Sequence, residues 1–194
     1  MLVGAKYAEI PLIRSRVRGF KLNTAAMSLV TNVPDAEQLR WAFWRPDSLS
    51  SFVPYMRQER LSVFDDPNSW LLGKPLESAF SVAPSSQCTG ALESSVAMSS
   101  VASGPPALRI TGWAWDYQHR QPASMIVAAT DGIITGLGAM GDWRPMNKAV
   151  HPWITSNYIG YMGYVQEARL PGPVEVYAIL RGSPAAACLI ATVK

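Results

Sequence analysis

Few residues in this chain are of the types that do chemistry, and their spacing decides between them. Asp116 and His119, with a serine added, are the raw material of a hydrolase triad. No GxSxG elbow accompanies them, and His119 sits in the polar stretch 116–122, where a solvated imidazole is expected. His151 stands before Pro152 and reads as structural. The run Gly136-Leu137-Gly138-Ala139-Met140-Gly141 has the glycine spacing of a dinucleotide loop. Such a loop must open a helix whose N-terminus meets the pyrophosphate. Here Asp142-Trp143-Arg144-Pro145 follows and no βαβ unit surrounds it, so the glycines are expected to bend a strand into a loop. The two histidines lie far from both cysteines and there is no CxxC pair, which leaves a metal site without ligands. No catalytic residue, metal or cofactor is assigned.

The aromatic residues are the better candidates. Arg109-Ile110-Thr111-Gly112-Trp113-Ala114-Trp115-Asp116 alternates as a strand, placing Trp113 and Trp115 on one face with Arg109 and Thr111, opposite Leu108, Ile110 and Ala114. Sugars stack their C–H faces on indole rings while neighbouring polar groups satisfy their hydroxyls. Trp113, Trp115, Arg109, Asp116, Trp143 and Arg144 are therefore the ligand-binding candidates. The competing expectation, and the favoured one, is that both tryptophans of the strand pack against the N-terminal helices or a second sheet.

The elements that would position these residues fall into three blocks: an arm and helical extension over 1–77, a serine-rich connection over 78–104 that carries the Cys88 strand, and a β core over 105–194. Residues 1–21 hold Lys6, Arg14, Arg16, Arg18 and Lys21 against Glu9 alone. They could lie on phosphates or lipid head groups, but a solvated, frayed terminus is expected. In 22–33, Leu29, Val30 and Val33 are able to pack. Asp35 caps a short helix over 35–43, with Leu39, Ala42 and Phe43 on one face. Pro46 ends it, and Asp47 or Ser48 starts a second helix running to about Glu59. Its stripe is Leu49, Phe52, Val53 and Met56, with Pro54 inside the pattern. A short strand is expected at 61–64, closed by the turn 65–68, and Gly73 stops the segment after it. Further strands are expected at 88–97, 108–115, 124–130, 133–137, 158–165, 174–180 and 188–193. Asp131-Gly132 is a hairpin turn, 99–106 a loop, and 138–153 a long irregular connection. The fold class is mainly β: an antiparallel immunoglobulin-like β-sandwich with an N-terminal α-helical extension.

Composition fits a globular chain: 194 residues, 48% hydrophobic, 10% aromatic and a net charge of +3. Lys and Arg are scattered after residue 21 and no nucleic-acid motif is present, so no nucleic acid is expected as a partner. No secretory leader is read in the first residues, and the most apolar stretch, 125–140, is broken by Asp131 and three glycines. Either the chain is cytosolic or its anchor lies upstream. Cys88 and Cys188 bracket the strand-rich half. They are either two buried thiols or a disulfide, and the disulfide, which would imply an oxidising compartment, is favoured.

A set of spaced motifs then suggests a family. In order they are Leu61-Ser62-Val63-Phe64, Cys88-Thr89-Gly90, the 109–116 strand, Asp131-Gly132-Ile133-Ile134-Thr135-Gly136, Arg144-Pro145, Gly160-Tyr161-Met162-Gly163-Tyr164, Val176-Tyr177-Ala178-Ile179-Leu180 and Ala187-Cys188. Over roughly residues 30–190 the chain resembles the C-terminal soluble region of large bacterial polytopic membrane proteins related to lipid-linked-sugar glycosyltransferases. The resemblance implies a β-sandwich on the extracytoplasmic (periplasmic) face of the inner membrane, joined to the membrane by an upstream segment. It implies a glycan or lipid-linked sugar as partner, and makes Cys88 and Cys188 the family's pair. Transfer chemistry in that family belongs to carboxylates near the membrane and is carried over to no residue here. Met146-Asn147 stands where an acidic residue would follow Arg144-Pro145, which counts against a role for that loop in binding a cation or a hydroxyl-rich ligand. The alternative is a free-standing, cytoplasmic protein-interaction module.

Overall fold

The computed structural model describes residues 3–43, 45, 48–98, 107–146, 149–166 and 172–193, with side chains from residue 13 onward except at 50. The expected stop at Pro46, the cap at Asp47, the loop 99–106, Asn147 and the side chain of Lys6 lie outside these residues.

Hydrophobic alternation in the second half produces nine strands: β1 (Ser81–Val82), β2 (Cys88–Met98), β3 (Ala107–Asp116), β4 (Gln121–Pro122), β5 (Met125–Thr130), β6 (Ile133–Asp142), β7 (Gly160–Gln166), β8 (Val174–Leu180) and β9 (Ala186–Val193). They form one sheet in the order β1-β9-β8-β5-β6-β7-β3-β2, with β4 added to β3. Every pairing is antiparallel except β1 with β9. The β-rich antiparallel expectation holds. The immunoglobulin-like sandwich is not borne out, because the strands hydrogen-bond continuously in one curled sheet and not in two.

The curl brings β2 against β9, which are not paired, and the Cys88–Cys188 disulfide joins them with Cα atoms 6.3 Å apart. Such a bond fits an oxidising compartment. Both sulfurs sit in the inner core, with Ile110, Ala114, Ile126, Ala128, Val165, Val176, Ala178 and Leu180. Small residues permit the tight curvature. Gly138 faces Gly163 across β6 and β7, and a Cβ on either would lie 3.0 Å from the other's Cα. The Tyr161 ring lies where a Gly112 side chain would stand. Its hydroxyl donates to the Ala91 carbonyl over 3.4 Å.

The outer face of the same strands is covered by helices. Val127, Ala129, Ile134, Leu137, Tyr177 and Ile179 meet Ala25, Leu29 and Val30 of α1 (Val3–Val30), together with Leu39, Phe64, Leu76 and Phe80. Residues 1–21 were expected as a frayed arm, but from Val3 they belong to this helix. Its second half is anchored on the sheet, and extending an existing helix avoids the cost of a new nucleus. α2 (Ala36–Ala42) is capped by Asp35, whose Oδ1 accepts from the backbone N–H groups of Glu37 and Gln38 at 3.0 and 3.3 Å. α3 (Leu49–Gln58) packs Leu49, Val53 and Met56 inward. Phe52, expected in that stripe, points outward. A one-turn α4 (Leu76–Ala79) leads into β1.

Two further expectations are corrected. Residues 61–64 hold a 3-10 turn, Ser62–Phe64, and not a strand: Ser62 has φ 56°, no strand among the described residues pairs with it, and Phe64 plugs the outer core. The irregular connection expected from 138 begins later, because β6 runs to Asp142 before Gly141, at φ 120°, makes a bulge against β7. The GxGxxG run is thus strand throughout. Asp131 and Gly132, at φ 50° and 74°, make the β5–β6 hairpin turn as expected.

Candidate functional site

The six candidate residues separate into three places. Arg109 lies at one end of the outer face of β3, under α2. Its Nη1 donates to Asp35 Oδ2 at 3.0 Å and lies 3.5 Å from Glu37 Oε2. The Tyr164 hydroxyl, from neighbouring β7, donates to the same Asp35 oxygen at 2.9 Å. Asp35 is buried, so one carboxylate caps α2 with one oxygen and ties the helix to two strands with the other. Burial opposes the Arg109 charge, but the Asp35 hydrogen bond and carboxylate, with Tyr164 and Glu37 nearby, hold the guanidinium above its ordinary range. Burial first, and then the Asp35 carboxylate and the bond to it, push the Tyr164 phenol well above its usual range. This arrangement fastens α2 to β3 and β7, with the Arg109 Nη1 and the Tyr164 hydroxyl both engaged by Asp35.

Asp116 ends β3, fully buried. His119 donates its backbone N–H to Oδ1 at 3.0 Å, and its Nδ1 lies 2.8 Å from Oδ2; the Arg181 N–H donates to Oδ2 at 3.3 Å. The carboxylate therefore holds the 116–122 turn to the β8–β9 connection. His119 is exposed, as expected, and its ring is tied to Asp116 through Nδ1. The only serine hydroxyl nearby in sequence, Ser124, donates to the Ile179 carbonyl at 2.8 Å. Ser124 is thus engaged elsewhere and does not serve the Asp116–His119 pair as a nucleophile.

The remaining four residues lie together at the other end of the outer face of β3. The connection 143–159 folds back over the sheet and covers Trp115 with Ile154 and Ile159, leaving the indole 1% exposed. That is the packed outcome favoured from sequence, with a loop rather than a helix or second sheet as the cover. Trp113, two residues earlier, is only half-buried. His151 stacks on it at 5.4 Å between ring centres, Trp153 meets His151 edge-on at 5.7 Å, and Tyr117 lies 6.2 Å from Trp153. The His151 Nδ1 is shielded and has no hydrogen-bond partner among the described residues.

Two bulges aim the polar side chains of this end. In β2 the bulge lies between Leu92 and Ser94, so Glu93 leaves the ladder. Arg144 spans β7 and β3 to reach it: Nε lies 3.1 Å from Glu93 Oε2, in ion-pair range but without hydrogen-bond alignment. Nη1 lies 2.9 Å from Asp142 Oδ2, and the Arg144 N–H donates to the Asn157 carbonyl at 2.6 Å. Gly160 makes room, since a Cβ there would lie 2.8 Å from both Asp142 and Arg144 side-chain atoms. Trp143 stands 51% exposed beside this ion network, and Trp153 is 45% exposed. The result is a shelf of half-covered and open rings with fixed charged groups at its edge. It can stack a flat apolar face and hydrogen-bond its rim.

Alternation identified Trp113 and Trp115 but did not separate them. The Asp35–Tyr164 bond and the stack on His151 join positions far apart in sequence, and no local signal announces either. Tyr161 and Tyr164, which alternate with glycine in β7, are buried on opposite faces of the sheet. Among the described residues there is no cluster of metal-ligating side chains. Comparison with protein-family models, with curated proteins and with solved structures finds no match to this chain.

Proposed function

We propose that this chain is a non-catalytic, extracytoplasmic β-domain of a membrane glycosyltransferase-like protein, and that it binds glycan or helps assemble the sugar-transfer machinery. The supporting observations are exposed Trp143, adjacent in the chain to Asp142 and Arg144, which pair with each other while Arg144 also meets Glu93, and exposed Trp153 at the edge of the His151 and Trp113 rings. A pyranose ring stacks on one indole while its hydroxyls meet a carboxylate and a guanidinium. Lipid-linked or polymeric sugars are the substrates of such machinery, and the disulfide suits an extracytoplasmic address.

The test is a glycan array followed by titration calorimetry on hits, comparing the wild type with Trp143→Ala and Trp153→Ala. Loss of at least tenfold in affinity with an unchanged melting temperature supports the shelf. An array on which the wild type binds nothing removes it. A second reading, a free-standing protein-interaction module, draws on Phe52 and Tyr55, whose rings point outward from α3 at 60% and 59% exposure. The two readings part at the gene: membrane helices encoded directly upstream favour the first, and an independent start with none nearby favours the second.

A further inference from the structure

The basic half of α1 does not lie on the sheet. Every described side chain from Ile13 to Arg18 is exposed, and burial begins at Phe20. Phe20 packs beside Gly141, 3.8 Å from where a Cβ would stand, so α1 leaves the sheet at the end where β6 finishes and the shelf begins. Around this exit point two separate segments, the β6–β7 connection and α2, place aromatic rings. Arg16 lies over the Tyr158 ring at 5.1 Å, from the β6–β7 connection. Lys21 sits 3.5 Å from the centre of the Trp41 ring, at the end of α2. Trp143 follows Gly141 by two residues. Trp41 and Trp143 are about half exposed. Arg14, Arg18 and Lys21 fall on one side of the helix by their i, i+4, i+7 spacing, and Arg16 on another. From Ile13 to Val33 there is no acidic residue.

Half-exposed indoles and a partly buried phenol, grouped around a stretch of α1 that carries arginines and a lysine and no acidic residue, match one kind of environment. At a bilayer interface, amphipathic rings sit among the head groups and cations pair with anionic phosphates. We propose that this collar is a lipid-contact surface, which seats the domain on an anionic bilayer with α1 directed toward the membrane and the curled sheet away from it. The proposal goes beyond the glycan reading. It uses Trp41, Tyr158 and the α1 cations, which lie outside the shelf, and shares Trp143 with it; no helix of the described residues is itself long and apolar enough to cross a membrane.

Vesicle co-sedimentation of the intact chain tests it. The expected result is binding to phosphatidylcholine vesicles that contain phosphatidylglycerol, and little to phosphatidylcholine alone. The triple variant Arg14→Gln, Arg16→Gln, Arg18→Gln should bind on the order of a hundredfold more weakly, as three lost head-group contacts imply. Trp41→Ala should weaken binding several-fold while leaving the melting temperature and any glycan affinity unchanged. The proposal is overturned by equal binding to neutral and anionic vesicles, or by a triple variant that binds as the wild type does. It is likewise overturned if a single-stranded oligonucleotide binds the wild type more tightly than the vesicles do, which would assign the cations to nucleic acid. Failure here with a glycan hit retained would leave the shelf standing, and the converse would leave the collar.

Discussion

The outer face of β3 has two ends, and the same kinds of residue meet different fates on them. At the Arg109 end a cation, a carboxylate and a phenol close on one another beneath α2. At the Trp113 end a loop covers one indole completely, another by half, and leaves Trp143 and Trp153 open. Arg109 and Trp113 sit on one strand and one face, four residues apart. What separates them is which distant segment arrives: Asp35, a helix cap that brings a compact charge, or the 143–159 connection, which brings bulk without sealing the edge. A residue type on a strand thus suggests a binding platform only when the covering segment is known.

The contrast can be attacked first through the disulfide, which lies at the open end: Cys88 pairs with Asp116 and Thr89 with Trp115. Its loop has a sequence separation of 100, so removing it with Cys88→Ser/Cys188→Ser should cost up to about 4.7 kcal/mol in urea unfolding. Amide exchange should rise in β2 and β9 before it rises under α2; uniform acceleration would mean that the two ends are one cooperative unit. Next come the two indoles. Trp115→Ala should cost about 3–5 kcal/mol as a buried aromatic truncation, and Trp113→Ala less than half of that. Equal losses would show that the loop seals both rings. At the closed end, Asp35→Ala should cost about 3 kcal/mol, because it removes a cap and strands a part-buried cation. Tyr164→Phe keeps Asp35 with Arg109 and should cost only about 1 kcal/mol. It also carries a pH signature. The folded-state phenol titrates above its unfolded value of about 10, so its stabilisation is present below that pH and is lost as pH rises toward the folded value. Burial and Glu175 push Tyr177 up in the same way, to about 12. Stability should therefore fall above pH of about 10, with a shallower slope in the Tyr164→Phe variant.

Local chemistry made much of this legible. Asp35 before a helix, Asp131-Gly132 between two apolar runs, and the alternation of 174–180 each determine structure within a few residues. Strand pairing did not follow from the same signals, because short alternating strands suit two sheets or one curled sheet equally well. The choice lies in small contacts such as Gly138 against Gly163 and Tyr161 over Gly112, which pair distant positions. The basic lead-in differs from its expectation for a related reason: its helix is continued from the packed half of α1, and its described side chains from Ile13 to Arg18 are all exposed. At the site, the rings were visible and the cover was not. Trp115 and Trp113 have the same local context, and only the fold-back of 143–159 distinguishes them.

The bond between Cys88 and Cys188 also divides the chain topologically. β2 through β9 form a covalent macrocycle, while α1 to α4 and β1 hang from it as a linear tail. A protease nick anywhere inside the ring opens the loop without releasing a fragment, and both pieces travel together until a reductant is added. A nick in the tail frees the helical layer at once. The two halves of the molecule therefore differ in how they fail: one loses integrity silently, the other visibly.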